Sequence, residues 1–442
     1  MPKLVPYSKG SVIFFAGDKD ERIFILQSGT VTLKQGDIVT GEEISTQLEP
    51  GEFFGVKSAL ARRPRIETAS AKTDVQAVLI SVQEFEKSFL NRSDKIMLML
   101  MNFVKSLADT RAKMESLLRF EATTQSPAAG MEQIARLFYR DGSFHSSASE
   151  CERLLAAYPD AENKEVVEKL LEKAKSRFSE EPSMDIMPDL VVEGVTEDNS
   201  DSKAQEESTL KQFGSPVFQR FAKNYADGEV IISEFEETSA FYIIQRGNVS
   251  VDRRMNNMLK RFDILHAGDL LGATELINGS VRTATAVARG AVTCLRFGKE
   301  NFNKLVMGNP EIAIQQLKLM CKRFFDWRRQ IQLLRITDIS ARIADLFLIY
   351  DTFPQMRKPL FEEDEEKRTF YLTIPEISRW IAVPVDKARD ELNKYVSKNK
   401  IAIYDNYIIV RNIMDMKRIV DSYYANKEDE DAANAAKSTR AL

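Results

Sequence analysis

The chain has 442 residues, 43% of them apolar and 29% charged, with a formal net charge of −4 at pH 7. Single cores stop growing near about 250 residues, so this length predicts about three domains of ordinary globular composition. The mild acidity excludes a global field for nucleic acid. Two histidines, His145 and His266, and three scattered cysteines, Cys151, Cys294 and Cys321, leave little for imidazole catalysis, zinc or disulfides.

The N-terminal MPKLVPYSKGSVIFF has no apolar run behind a basic start, so the expectation is a cytoplasmic protein without membrane contact. Short alternating apolar runs follow at Val12–Phe15, Ile23–Leu26 and Val31–Leu33, separated by Gly, Asp and Ser. They predict closely spaced antiparallel strands of a jelly-roll-like sandwich. From VQEFEKSFLNRSDKIMLMLMNFVKSLADTRAKMESLLRF onward the period becomes 3.6, predicting helix. We take residues 1–120 as this first domain.

Residues 121–179 read as a helical insert. Within it Tyr139, Gly142, Phe144, Cys151, Leu155, Tyr158 and Pro159 resemble one tetratricopeptide-type repeat, but a single unit builds no solenoid. Two readings stay open for it, a helical hairpin packed on the first roll or a peptide-binding surface. Residues 180–210 are expected to be an acidic disordered linker, with ten acidic residues against the single Lys203 between positions 180 and 207.

The plan then repeats. YADGEVIISEFEETSAFYIIQRGNVSV matches YSKGSVIFFAGDKDERIFILQSGTVTL without a gap, pairing Gly10 with Gly228, Phe24 with Tyr242 and Gly29 with Gly247. After one deletion Gly51 pairs with Gly268, Gly55 with Gly272 and Arg65 with Arg282. Residues 211–335 are thus a second roll with its long helix, 336–425 a further domain, and the polar 426–442 a disordered tail. Each long helix is expected to pack on its own roll and leave a stripe for a partner.

The segment GDLLGATELINGSVRTATAVA resembles the phosphate-binding cassette of cyclic-nucleotide-binding domains. Gly272 opens it, Gly279 lies in the middle and Arg282 closes it at the family's spacing. A cyclic phosphate diester keeps one negative charge, which suits a guanidinium fork, a hydroxyl and backbone N–H groups at a short helix start. The resemblance implies a ligand site at Gly272, Ala273, Thr274, Glu275, Arg282 and Thr283, with a weaker second site at Gly55, Val56 and Arg65. It implies cyclic AMP or a related small anion as ligand. The family's Glu for the ribose 2′-hydroxyl is replaced by Ala273 and by Val56, and such a loss costs on the order of 1–3 kcal/mol. In the first roll Ile66 and Glu67 follow the arginine, which ranks that roll below the second. The alternative is a pair of scaffolds whose arginines make internal salt bridges.

From Thr337 the chain resembles the DNA-binding domain of the Crp/Fnr family of bacterial regulators. Ile374–Ile381 matches its first recognition-motif helix, Ala382–Val383 the turn, Pro384 the start of the second helix, and Ile401–Val410 a hairpin around Asp405–Asn406. The fold class implied is α+β and multidomain, with two antiparallel β-rolls each followed by helices and a C-terminal winged helix-turn-helix. Candidate DNA-facing residues are Arg379, Val385, Lys387, Arg389 and Lys394. Val385 and Asp390 replace arginines typical of the family's closest members, so protein contact stays open as the alternative. The resemblance further implies a ligand-responsive regulator acting as a homodimer, the helix around Glu300–Leu334 carrying the signal. The other reading is a signalling scaffold without DNA binding. No nucleophile elbow, Walker loop or metal motif is present in the sequence, so neither catalytic nor metal-ligating residues are assigned and no enzymatic activity is expected.

Overall fold

A computed structural model describes residues 2–89, 93–118, 126–181, 216–272, 275, 281–298, 300–301, 304, 310–352 and 366–440. They form two compact units, Met1–Arg119 with Gly298–Gln332, and Phe120–Phe297 with Leu333–Leu442. Most of the acidic segment expected as a linker lies outside the described residues.

The first unit begins with strands β1 (Lys3–Tyr7), β2 (Val12–Phe14), β3 (Ile23–Ser28), β4 (Val31–Gly36), β5 (Glu43–Leu48) and β6 (Phe53–Phe54). Helix α1 (Val56–Ala61) follows, then β7 (Thr68–Ala71), β8 (Val75–Ile80), α2 (Val82–Phe89) and α3 (Ser93–Leu117). Two four-stranded antiparallel sheets result, ordered β1-β8-β3-β6 and β2-β7-β4-β5. The period of two decides the inner face, since Val75, Ala77 and Leu79 of β8 are buried while Gln76 is exposed. Phe14, Phe24 and Phe54 fill the core between the sheets, Phe24 and Phe54 stacking with ring centroids 5.0 Å apart.

The second unit opens with the insert, a three-helix arrangement of α4 (Pro127–Arg140), α5 (Phe144–Ala157) and α6 (Lys164–Lys175). Ser126 caps α4 by accepting the Ala129 N–H at 3.3 Å, and Pro127 occupies the first turn, where its missing N–H costs nothing. Met131, Ala135, Cys151, Leu154, Val167 and Leu170 form its core. The insert packs on the second roll, which corrects the expectation that a hairpin here would lie on the first. Ile134, Leu137 and Phe138 share one buried cluster with Val230, Leu259 and Val287 of that roll.

That roll comprises α7 (Pro216–Gln219), β9 (Ala222–Tyr225), β10 (Val230–Ile232), β11 (Ala240–Met255), β12 (Met258–Leu265), β13 (Leu270–Leu271) and β14 (Thr285–Gly298). Its strands join in one antiparallel sheet along β10-β14-β11-β12, with β13 on β11 and β9 on β14. The repeat persists in the register, because Phe24 pairs with Phe54 in one roll and Tyr242 with Leu271 in the other.

Helix α8 (Pro310–Arg335) departs from expectation. Its residues as far as Gln332 belong to the first unit, where Lys318 pairs with Glu86 at 2.8 Å and Lys57 lies 4.7 Å over the Phe324 ring. The C-terminal module of the second unit contains α9 (Ile339–Asp351), β15 (Arg368–Phe370), α10 (Ile374–Ile381), α11 (Val385–Ser397), β16 (Ile401–Ile403), β17 (Ile408–Val410) and α12 (Ile413–Arg440). A capping box of Thr373 and Glu376 starts α10, and Ala382 in the left-handed region (φ 53°) ends it. The helix α12 runs to Arg440, into the segment expected as a disordered tail, whose alanine, lysine and glutamate are strong helix formers. Among the described residues no helix is long and apolar enough to cross a membrane. The three cysteines are free and buried, and burial pushes each thiol up to about 12.

Candidate functional site

In the second roll the loop after β13 turns at Gly272 in the left-handed region (φ 76°), where a side chain would run into the Arg282 guanidinium. Arg282 is 5% exposed. Its Nη1 donates to the Gly272 carbonyl at 2.7 Å, and its Nη2 donates to the Ala240 carbonyl. Glu275 stands 4.0 Å from Nη1 and accepts the Thr283 hydroxyl. Burial lowers the Arg282 pKa, with Glu275 opposing. Gly272, Glu275, Arg282 and Thr283 lie together, whereas Ala273 and Thr274 lie outside the described residues.

The first roll repeats the arrangement with one difference. Arg65, 2% exposed, donates from Nη1 to the Gly55 carbonyl at 2.6 Å and from Nη2 to the Arg22 carbonyl at 2.5 Å. Here a carboxylate comes close, Asp20 Oδ2 lying 3.4 Å from Nη2, and the guanidinium sits 4.6 Å over the Phe14 ring. Burial raises the Asp20 pKa, but the Arg22 and Arg65 cations outweigh it and hold the carboxyl below its usual range. Val56, buried, begins α1, and Lys57 beside it donates to Ser106 of α3 at 3.1 Å. The sequence offered Glu67, next but one to Arg65, as a carboxylate that neutralises the arginine or repels a phosphate. The structure brings Asp20, which no cassette pattern marks, into ion-pair distance of Arg65, with Glu67 acting on the same guanidinium electrostatically.

The loop between β10 and β11 ties the second cassette to the insert. Phe235 N donates to Arg282 O at 3.0 Å and Arg282 N to Glu236 O at 2.8 Å. The Glu236 carboxylate takes a two-pronged contact from Arg153 of α5, at 2.9 and 2.7 Å. Phe235 is left-handed (φ 78°), a costly conformation for a bulky residue, and its equivalent in the first roll is Gly17 (φ 94°). The Phe235 ring lies so close to Gly130 of α4 that a methyl there would stand 2.5 Å from Cδ2.

A second polar cluster joins the roll to α10, and the sequence reading missed it. Arg261 of β12 pairs with Asp252 of β11 at 2.5 and 3.1 Å, both side chains fully buried. Arg289 of β14 pairs with Glu376, and the buried Lys260 donates to Trp380 O at 2.9 Å. Burial and the Arg261 cation lower the Lys260 pKa well below its usual value. The adjacent charged residues Lys260 and Arg261 inside the apolar run MLKRFDIL were the available signal.

Arg379, expected to face DNA, is turned inward. It is 6% exposed, donates to the Ser143 hydroxyl at 2.9 Å, and lies 3.8 Å from Asp252 and 3.9 Å from Asp141. The reason is charge. Two buried carboxylates, Asp252 on β11 and Asp141 at the α4–α5 turn, attract it there beside their closer partners Arg261 and Arg140. On α11 Lys387, Arg389 and Lys394 are exposed and Val385 is half-buried, with Lys394 paired to Glu391 at 2.7 Å. Asp386 and Asp390 are exposed on the same helix.

Residues 4–92 and 222–309 match the family described as the cyclic nucleotide-binding domain. A cAMP-dependent protein kinase regulatory subunit from Blastocladiella emersonii is 35% identical over 83 residues, 19% of this chain and 21% of that protein. A global nitrogen regulator from Synechococcus elongatus is 32% identical over 114 residues, 25% of this chain and 51% of that protein. The chain thus spans between a fifth and about half of these relatives. A solved CRP/FNR-family transcriptional regulator from Thermus thermophilus aligns at a TM-score of 0.36 with 16% identity, covering 45% of this chain and 98% of that one. The chain carries two cyclic nucleotide-binding domains.

Proposed function

We propose that the second roll senses a cyclic nucleotide or related small anion, and that the C-terminal module is a winged helix-turn-helix through which the chain acts on DNA. The observation carrying this is the state of the two arginines. Arg65 already has the Asp20 carboxylate at 3.4 Å, whereas the carboxylate beside Arg282 stands at 4.0 Å and is engaged by Thr283. An entering phosphate has less to displace in the second roll, and it meets there a guanidinium, a hydroxyl and the backbone of a glycine turn. The missing ribose carboxylate weakens such binding on the order of ten- to a hundredfold. The names of the relatives point to cyclic AMP as the first probe and to regulation as the output.

The DNA-facing surface in this reading is Val385, Lys387, Arg389 and Lys394, without Arg379. A homodimer would read a two-fold symmetric site. A second output, contact with another protein, is favoured by the inward turn of Arg379 and by Asp386 and Asp390 on the exposed face. A salt-titrated DNA-binding measurement with and without cyclic AMP separates them. DNA action predicts affinity that falls steeply with salt and rises with the nucleotide, while no affinity at low salt leaves protein contact as the output.

A further inference from the structure

We propose that the helical insert is a lever, carrying the state of the second roll's cassette to the C-terminal module through its own two ends. The inference rests on reading that roll as the sensor and replaces α8 as the transmitting element, because α8 up to Gln332 belongs to the other compact unit.

One end of the lever grips the cassette. The backbone of Arg282 is hydrogen-bonded to Phe235 and Glu236, so a shift of the arginine moves the β10–β11 loop. Three side chains of the insert hold that loop or its flank. Arg153 forks onto Glu236, Glu150 accepts the Ser233 hydroxyl, and Ser149 accepts the Val230 N–H at 2.9 Å. The two rolls differ at the grip. Where the first roll relaxes the left-handed position with Gly17, the second spends strain to keep Phe235 there, and that ring is the part seated on Gly130.

The other end meets the C-terminal module. The α4–α5 turn presents Asp141 and Ser143 to Arg379 of α10, and the Phe138 ring lies 5.5 Å beneath the same guanidinium. Between the two ends α4 and α5 are one packed body, with Ser147 Oγ donating to Ala135 O at 2.8 Å across the pair. A packed helix pair rotates rather than bends, so displacement at Glu236 appears at Arg379. A parallel route exists through β11 and β12, which also touch α10. The lever requires that the insert, not the strands, carries most of the coupling.

Hydrogen–deuterium exchange on the full chain without ligand tests this. The perturbation is Arg282→Ala and the readout is amide exchange of α10, measured in the wild type, in Arg153→Met and in the double variant. Allosteric couplings are typically about fivefold or more, so Arg282→Ala should speed α10 exchange about fivefold, Arg153→Met should do likewise, and the double variant should be no faster than either. Unchanged α10 exchange in Arg282→Ala overturns the proposal. So does a double variant whose effects multiply, which assigns the coupling to the strands. Should Arg282→Ala or Arg153→Met disturb α9 exchange as well, Arg282→Lys and Arg153→Lys keep the charge, lose the fork and give the same comparison. Because the perturbation is a substitution, failure of nucleotide to bind overturns the sensor reading and leaves this result standing.

Discussion

Glu150→Gln is the substitution whose consequence follows most directly from the geometry. Glu150 of α5 lies fully enclosed against the second roll, its Oε1 accepting the Ser233 hydroxyl and its Oε2 buried without a hydrogen-bond partner among the described residues. Burial pushes its carboxyl up to about 8 from the ordinary 4.5; the Ser233 bond and Arg153 pull downward, and Glu236 and Glu234 push further up. The folded chain therefore holds a proton that the unfolded chain releases above about pH 4.5. This group costs stability progressively as pH rises from there to about pH 8, and the cost is constant beyond. At 1.36 kcal/mol per pH unit for one proton, the cost grows on the order of 2 kcal/mol between pH 6 and pH 8. Glutamine keeps the acceptor for Ser233 and cannot ionise. The stability gained by Glu150→Gln should therefore be larger at pH 8 than at pH 6 by on the order of 2 kcal/mol. Urea unfolding followed through Trp380 reads this in a Trp327→Phe background, since those two are the chain's only tryptophans. A gain equal at both pH values, or larger at pH 6, refutes the assignment of a buried neutral acid.

Arg379→Ala should destabilise the second unit by about 1–3 kcal/mol, because it removes one of the cations facing the buried Asp252 and Asp141, which keep Arg261 and Arg140, and should leave the salt dependence of any DNA binding unchanged; the same urea unfolding and a salt titration check both. Lys387→Ala and Arg389→Ala should each reduce the slope of log affinity against log salt by about 1 without altering unfolding. Gly130→Ala improves helix propensity by about 1 kcal/mol, yet it overlaps the Phe235 ring, and overpacking typically costs about 1–3 kcal/mol. Thermal unfolding should show a net loss, and a stabilised variant would mean that Phe235 moves freely.

Much of the fold was legible because its signals are local. Alternation and turn residues mark the strands of both rolls, and the repeat carries over, past its one deletion, into paired hydrogen bonds, Arg65 to Gly55 and Arg282 to Gly272. Thr373 and Glu376 announce the start of α10. What stayed hidden depends on partners distant in sequence. Nothing within Tyr139–Pro159 says which roll its buried Glu150 will meet. Arg379 reads as a surface cation until Asp141 and Asp252 are brought beside it by other elements. Phe235 was legible in principle, since the alignment of the repeat sets a phenylalanine opposite Gly17. The positive φ that makes the difference meaningful is a property of the folded loop.

In the proposed function Arg282, and not Arg65, holds the anion. Calorimetric titration of cyclic AMP into the wild type, Arg282→Ala and Arg65→Ala measures it directly. One binding event per chain is expected in the wild type, the same event in Arg65→Ala, and none in Arg282→Ala. Equal heats from the wild type and Arg282→Ala would contradict it.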